Sequence, residues 1–576
     1  MILYRIEPLD THAHLFRVRL SLSQPAAQQR LSLPVWIPGS YLVREFARHL
    51  QRLTATQGGR EVPLRQLDKA SWVAECAGAE PLELAWEVYA FDTSVRAAFL
   101  DAGRGFFNGT GVFLRAEGRE HEPHELEIGG LPPGWQVATA LPATDVDADG
   151  AGRYRAADYD ELVDHPVELG RFWRGAFTAC GVPHEFVVAG APPNFDGERL
   201  LRDTQKICEA QIRFWHGERA PHFGRYVFLL NAVDDGYGGL EHRASTALIC
   251  ARRELPRQGE ASLGEGYLTL LGLISHEYFH TWNVKRLRPA EFARYDYAQE
   301  NYTGLLWFFE GFTSYYDDLF LVRAGLIDEA RYLKQLAKGV NNTLAMPGRL
   351  VQSVAQASFD AWIRYYRQDE NTANSTVSYY AKGSLVALAF DLTLRREGRG
   401  TLDAVMHVLW KRSQGGPVSE ADIAAAFEHV GGRSYAAEFA AWVHGTAELP
   451  IRELLAALAV EWQAEPATVA QRLGVRATEA LGVKLKSVLR GSAAEQAGLA
   501  AGDELLAVND WRLRKLDEIP FYVPAGMPLQ WLVSRDQRVL RLDGAPLADA
   551  EGAVALKPAA QAAGDALALR AAWLRP

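Results

Sequence analysis

Through the first 155 residues, apolar and polar positions alternate in short runs separated by turn-rich breaks. Leu15-Phe16-Arg17-Val18-Arg19-Leu20 and Leu82-Glu83-Leu84-Ala85-Trp86-Glu87-Val88 are two of these runs. Alternation with period two places the apolar side chains on one face of a strand. No long helical stripe interrupts them, so residues 1–155 are predicted to form an N-terminal β-sandwich. The stretch from Leu131 to Asp149, rich in Pro, Gly, Ala and Asp, reads as its exit.

From 156 to 460 the pattern changes to helical periodicity, with helices predicted around 302–323, 328–342, 383–397 and 402–412. Before them stand a strand-like run, Tyr226-Val227-Phe228-Leu229-Leu230, and a Gly-rich segment ending in Gly238-Gly239-Leu240-Glu241-His242. Tyr267, Leu270, Leu271, Ile274 and Tyr278 trace the i, i+3, i+4, i+7, i+11 stripe of a buried amphipathic helix. The polar segment 343–378 reads as a surface loop over a cleft. Residues 461–548 are small and β-rich, with a strand beginning at Leu481, a capped helix at Ser492–Leu499 and a turn into a strand at Gly502–Asn509. The Ala-rich tail 549–576 ends in an alternating run that reads as a terminal strand.

The candidate chemistry lies at the end of the amphipathic helix. His276-Glu277-Tyr278-Phe279-His280 spaces two imidazoles one helical turn apart, so both can converge on one ion. Glu277 projects beside them, where a carboxylate can take a proton from metal-bound water. Thirty residues beyond His280 stands Glu310, within Trp307-Phe308-Phe309-Glu310-Gly311. A carboxylate from a second helix completes three protein ligands and leaves a fourth position open, as in catalytic rather than structural zinc sites. This is a metallopeptidase signature.

Composition narrows the class. At 576 residues the chain has room for about three domains. A hydrophobic content of 48% and a charged content of 23% are those of a soluble globular protein. The net charge of −10 argues against a nucleic-acid or anionic-membrane surface. Cys76, Cys180, Cys208 and Cys250 are scattered, which suits free thiols in a reducing compartment. The N-terminus enters strand-like alternation with no leader pattern, and no apolar run reaches spanning length, so a cytoplasmic enzyme is expected.

The run His276-Glu277-Tyr278-Phe279-His280-Thr281-Trp282-Asn283-Val284-Lys285-Arg286-Leu287-Arg288-Pro289, with Glu310-Gly311-Phe312-Thr313-Ser314-Tyr315-Tyr316 downstream, resembles the M61 metallopeptidases, the glycyl aminopeptidase family. The resemblance covers nearly the whole chain. It implies a multidomain α+β protein: an N-terminal β domain, a thermolysin-like, mainly helical peptidase domain and a C-terminal PDZ domain. It further implies that His276, His280 and Glu310 bind one zinc ion and that Glu277 is the general base. Gly238-Gly239-Leu240-Glu241-His242 is similar to the G-x-M-E-N motif of related M1 aminopeptidases, which implies that Glu241 captures the substrate's free α-amine. Tyr379-Tyr380-Ala381-Lys382-Gly383 resembles their Y-x-K-G segment, which implies that Tyr380 stabilises the oxyanion, with Tyr379 as the substitute. Where related enzymes often carry an Asp that orients a zinc His, this chain has Ser314, leaving that role to Ser314, Asp317 or another group.

The expected activity is zinc-dependent removal of small N-terminal residues, Gly or Ala, from peptides with a free N-terminus. Two other readings compete: an endopeptidase, and a PDZ-based peptide-binding scaffold with a vestigial catalytic domain. Lys285, Arg286 and Arg288 either hold a substrate carboxylate or sit as cations at a helix C-terminus. Phe107-Asn108-Gly109-Thr110-Gly111 either shapes the first side-chain pocket or forms a plain hairpin turn. In the C-terminal module, Ala480-Leu481-Gly482-Val483 occupies the position expected of a PDZ carboxylate loop, which would receive a peptide C-terminus.

Overall fold

The computed structural model describes residues 1–562 and 564–575. They fall into two compact units. The first comprises Met1–Tyr302, Arg323–Leu326 and Trp410–Val418; the second comprises Thr303–Val322, Ile327–Leu409 and Ser419–Pro576.

In the first unit, the two alternating runs noted above are paired neighbours. Leu15–Leu22 lies antiparallel to Leu82–Tyr89 and to Ile2–Asp10 within an eight-stranded sheet. Ile2, Tyr4, Ile6, Phe16, Val18 and Leu20 share its buried face. Two four-stranded sheets complete the β layers. One of them includes Val167–Gly170, paired with Arg104–Phe107 and Gln136–Ala138, so the β architecture continues past the expected limit at residue 155. All four residues of that strand are buried, which gives it no alternation to read. Phe107 to Gly111 is also buried, and Asn108 donates to the Val95 carbonyl at 2.7 Å. That segment runs from a strand into a short helix, so it is not a plain hairpin turn.

A separate five-stranded sheet runs in the order Trp173–Ala179, Val182–Ala189, Tyr226–Val233, Ser245–Ala251, Gly238–Glu241. Its middle three strands are parallel and both edge strands antiparallel. Val187, Val227, Leu229, Leu240 and Ala247 join the core of the β layers. On the opposite face, Tyr226 and Phe228 pack against Tyr278 with ring centroids 4.8 and 5.8 Å away. Burial on both faces explains why Tyr226–Leu230 is continuously apolar. Tyr278 belongs to the helix Glu265–Phe279, and its predicted stripe is buried throughout. That helix also meets Gly197–His216, where Gln211 Nε2 donates to Ser275 O at 2.9 Å.

The predicted helices, which fall mostly in the second unit, are observed as Leu306–Phe309, Gly311–Arg323, Glu329–Leu344, Ala381–Arg396 and Leu402–Ser413. The segment 343–378, expected as a surface loop, contains the short helices Val354–Phe359 and Thr372–Ser375 and buries Trp362 and Asn374. Asn374 is the reason it cannot swing free. Its Nδ2 donates to Val488 O at 2.9 Å, and its Oδ1 accepts from Arg490 N at 2.8 Å, a two-point clasp onto the PDZ domain.

The PDZ domain has its own core and a sheet in the order Val475–Thr478, Val483–Val488, Glu504–Val508, Leu529–Arg535, Arg538–Gly544. Leu481, in the stretch expected as the carboxylate loop, is fully exposed in the turn before Val483–Val488. The sheet ends on two edge strands, Val475–Thr478 and Arg538–Gly544.

After the PDZ domain, Glu551–Pro558 pairs with Val460–Pro466, and the run expected as a terminal strand is instead the helix Gly564–Leu574, as its Ala and Leu content favours, returning to the helical part of the same unit. Trp573 is fully buried there and donates from Nε1 to Tyr315 Oη at 2.9 Å. Tyr315 in turn donates to Asp391 at 2.6 Å, and Arg395 donates to both Asp391 and the Ala572 carbonyl. The C-terminal helix therefore supports the helix that begins at Gly311. Trp573→Ala is expected to destabilise the second unit by about 3–5 kcal/mol, measured by urea denaturation.

Candidate active site

The helix Glu265–Phe279 ends at the motif, with His280 as its C-cap. His276 Nε2 and His280 Nε2 converge to 3.0 Å. His280 Nδ1 lies 2.7 Å from the Asn283 carbonyl. A carbonyl can only accept, so Nδ1 carries the proton and Nε2 presents its lone pair. This carbonyl orients His280. Two imidazole nitrogens this close, one with its tautomer fixed, form the donor pair that a zinc ion takes, with about 2.0–2.1 Å per bond.

Glu277 is buried one residue along, and the edge strand Gly238–Glu241 runs directly against it. A Cβ on Gly239 would lie 2.0 Å from Glu277 Oε1, so only glycine admits this approach. Glu241, at the end of the same strand, is 4% exposed. Ligand atoms of Glu241, Glu277 and His280 all lie within 4.8 Å of one another. Glu241 Oε1 has no hydrogen-bond partner among the described residues. A buried carboxylate oxygen without a donor is costly, and a cation or a water can relieve that cost.

Two groups from the N-terminal β layers reach this strand, and sequence reasoning missed both. Gly39 has φ +90°, and a Cβ there would lie 2.6 Å from both Glu241 carboxylate oxygens. The available signal was Pro38-Gly39, a dipeptide that favours a turn with positive φ at its second residue. Arg96 Nη2 donates to the Gly239 carbonyl at 3.3 Å, and nothing in its sequence surroundings announced it.

The cations after the motif do not reach toward a substrate carboxylate. Lys285 Nζ pairs with Asp164 Oδ1 at 2.7 Å, and both are largely buried. Arg286 donates to the carbonyls of Thr281 and Arg243, the first of these just past the helix end. Arg288 donates to the carbonyls of Phe292 and Lys285. The helix-end reading is the correct one for Arg286, and Lys285 serves a buried ion pair.

Burial alone would raise the Asp164 carboxyl, but the Lys285 ammonium, His242 and Arg243 outweigh it and hold it well below the usual carboxylate range. Burial holds His242 below its ordinary value despite Asp164 beside it.

Glu310 and Tyr380 belong to the second unit. Glu310 is buried at the junction of Leu306–Phe309 and Gly311–Arg323, with its N–H bonded to Leu306 O at 2.8 Å. Gly311 lies against Gly383: a Cβ on Gly311 would stand 2.6 Å from Gly383 Cα, and the reverse substitution is equally blocked. This close crossing sets Ala381–Arg396, with Tyr380 as its N-cap, beside the helix that Glu310 precedes. Burial, then the Glu310 carboxylate, raises the Tyr380 phenol well above its usual range. Tyr365, Tyr379 and Tyr380 cluster with ring centroids 4.7–5.4 Å apart.

The chain matches known protein families along much of its length. The profile of the peptidase M61 N-terminal domain matches residues 3–171, that of M61 glycyl aminopeptidase residues 269–386, and that of the PDZ domain residues 462–519. Among solved structures, the chain is similar to an aminopeptidase N family protein from Idiomarina loihiensis, at 35% identity and TM-score 0.94 over 100% of both chains. It is also similar to an M1 zinc metallopeptidase from Deinococcus radiodurans bound to a Tyr-Ser-Ala substrate, at 15% identity and TM-score 0.49, covering 78% of this chain and 94% of that one. No curated protein matches the chain.

A carboxyl held below its unfolded value contributes stability above about pH 4 and loses it as pH falls through the folded value. Asp164→Asn is therefore expected to destabilise the protein fully at pH 7. Its stability gap from wild type should close progressively below about pH 4, as read from denaturation midpoints across pH.

Proposed function

Because the chain belongs to the M61 glycyl aminopeptidase family and is a metallopeptidase, we propose that it removes small N-terminal residues, Gly or Ala, from peptides with a free N-terminus. His276, His280 and Glu310 are the residues that would hold one zinc ion. The observation that carries the reading is the buried Glu241 carboxylate, with an oxygen that has no donor, set within 4.8 Å of the base Glu277. An ammonium ion bound to Glu241 brings the first peptide bond to Glu277, and a chain extending past Glu241 would meet the Gly39 turn packed against that carboxylate.

Zinc, when bound, supplies Lewis-acid polarisation of the scissile carbonyl and lowers the pKa of the attacking water. The residues of the chain do the rest. Glu241 pairs with the substrate ammonium and sets the register. Glu277 accepts the water proton on its carboxylate and returns it to the leaving amine. The Tyr380 hydroxyl donates to the developing oxyanion, a contribution of about 2.7–4 kcal/mol to the barrier. Gly238 and Gly239 leave the edge strand bare, so a substrate backbone can lie along it beside Glu277. The preference for Gly or Ala follows the description of the family rather than any wall of the site. Peptide C-termini are the proposed ligands of the PDZ domain, at the loop of residues 480–483.

The test is hydrolysis of Gly-, Ala- and Leu-p-nitroanilide beside N-acetyl-Ala-p-nitroanilide. Only free-amine substrates should be cleaved, Gly and Ala faster than Leu, and Glu241→Ala should remove the discrimination against the acetylated compound by destroying activity on free amines. Equal cleavage of the acetylated substrate by wild type would make the enzyme an endopeptidase. Glu277→Gln should lower kcat by about 10²–10⁴-fold while the protein retains its zinc, measured by metal analysis. Zinc retention with no hydrolysis by wild type would favour the scaffold reading.

A further inference from the structure

Asp164 follows the helix Tyr159–Val163 and is distant in sequence from every motif above. Its Oδ1 accepts from Lys285 Nζ at 2.7 Å and from His242 Nδ1 at 3.2 Å, and its Oδ2 accepts from the Arg243 backbone N–H at 3.1 Å. Lys285 and His242 are 4% and 1% exposed. Two of these donors come from the residues immediately after Glu241. The third comes five residues after His280.

The loop between His280 and Lys285 is tightly constrained. Lys285 N–H donates to His280 O at 3.0 Å, and Asn283 O receives the His280 Nδ1 proton. Between them Val284 holds φ at 147°, a conformation that a β-branched residue adopts only under restraint. The end of the motif helix anchors one side of that strained turn. The buried Lys285–Asp164 ion pair anchors the other.

We propose that Asp164 is a positioning residue for both parts of this site: through His242 and Arg243 it fixes the strand end that carries Glu241, and through Lys285 it fixes the turn whose Asn283 carbonyl orients His280. The first half of this assignment rests on the reading of Glu241 as the amine anchor. A carboxylate is required at this point because three donors converge on it and one of them is an ammonium ion. An amide of the same shape offers a single acceptor oxygen and no charge.

The experiment compares full-length wild type, Asp164→Asn, the double variant Asp164→Asn/Lys285→Met, and Glu241→Ala. The double variant removes both charges at similar volume, so it leaves no unpaired buried charge and keeps the fold. Its melting temperature should return toward wild type. Its KM for Ala-p-nitroanilide should nevertheless rise about tenfold with a smaller change in kcat, and its zinc affinity, read by chelator competition, should fall about tenfold. A merely structural pair would recover all three together, so a stable double variant with wild-type KM and zinc affinity overturns the proposal. If Glu241→Ala keeps the wild-type KM, the amine-anchor reading fails, and zinc affinity alone then decides. A tenfold loss keeps Asp164 as the residue that positions His280, and wild-type affinity overturns that as well.

Discussion

The five-stranded sheet of the first unit is buried on both faces, and the placement of the catalytic groups there depends on it. One face shares a core with the N-terminal β layers through Val187, Val227, Leu229, Leu240 and Ala247. The other face receives Tyr278 from the motif helix. The edge strand Gly238–Glu241 is thereby fixed between a β layer and a helix, although it forms hydrogen bonds to only one neighbouring strand. Fully burying an apolar side chain of this size contributes roughly 1.5–3 kcal/mol, and many such contacts offset the cost of holding two carboxylates, Glu241 and Glu277, out of water.

Close approach is the second constraint, and it is met by glycine at each point. Gly239 lets the edge strand touch Glu277, and Gly39 lets a turn of the β layers close on Glu241. In the second unit Gly311 and Gly383 meet face to face, which sets Tyr380 relative to Glu310. Any side chain at these positions would push a charged or hydrogen-bonding group away from its place. Pre-organisation here comes from backbone proximity.

Strain and support are paired in the same way around the motif helix. The residues after His280 include a β-branched residue at positive φ, and a buried ion pair holds the far end of that turn. In the second unit the C-terminal helix inserts Trp573 beneath Tyr315, four residues beyond Gly311. Groups far along the chain thus stabilise the elements that carry the chemistry, as a site of fixed geometry demands.

Local pattern was sufficient for the elements themselves. Period-two runs marked the strands, the stripe from Tyr267 to Tyr278 marked the motif helix, and H-E-x-x-H placed two imidazoles one turn apart, because each of these depends on neighbours within a few residues. Long-range pairing was not legible. Val167–Gly170 hid its sheet because buried strands do not alternate. Asp164, Arg96 and Gly39 carry no motif; they matter only through residues 78, 143 and 202 positions away along the chain, whose approach is decided by packing. The sequence by itself determined which residues could do the chemistry. Tertiary structure decided which groups orient them, because burial and proximity are properties of the folded chain.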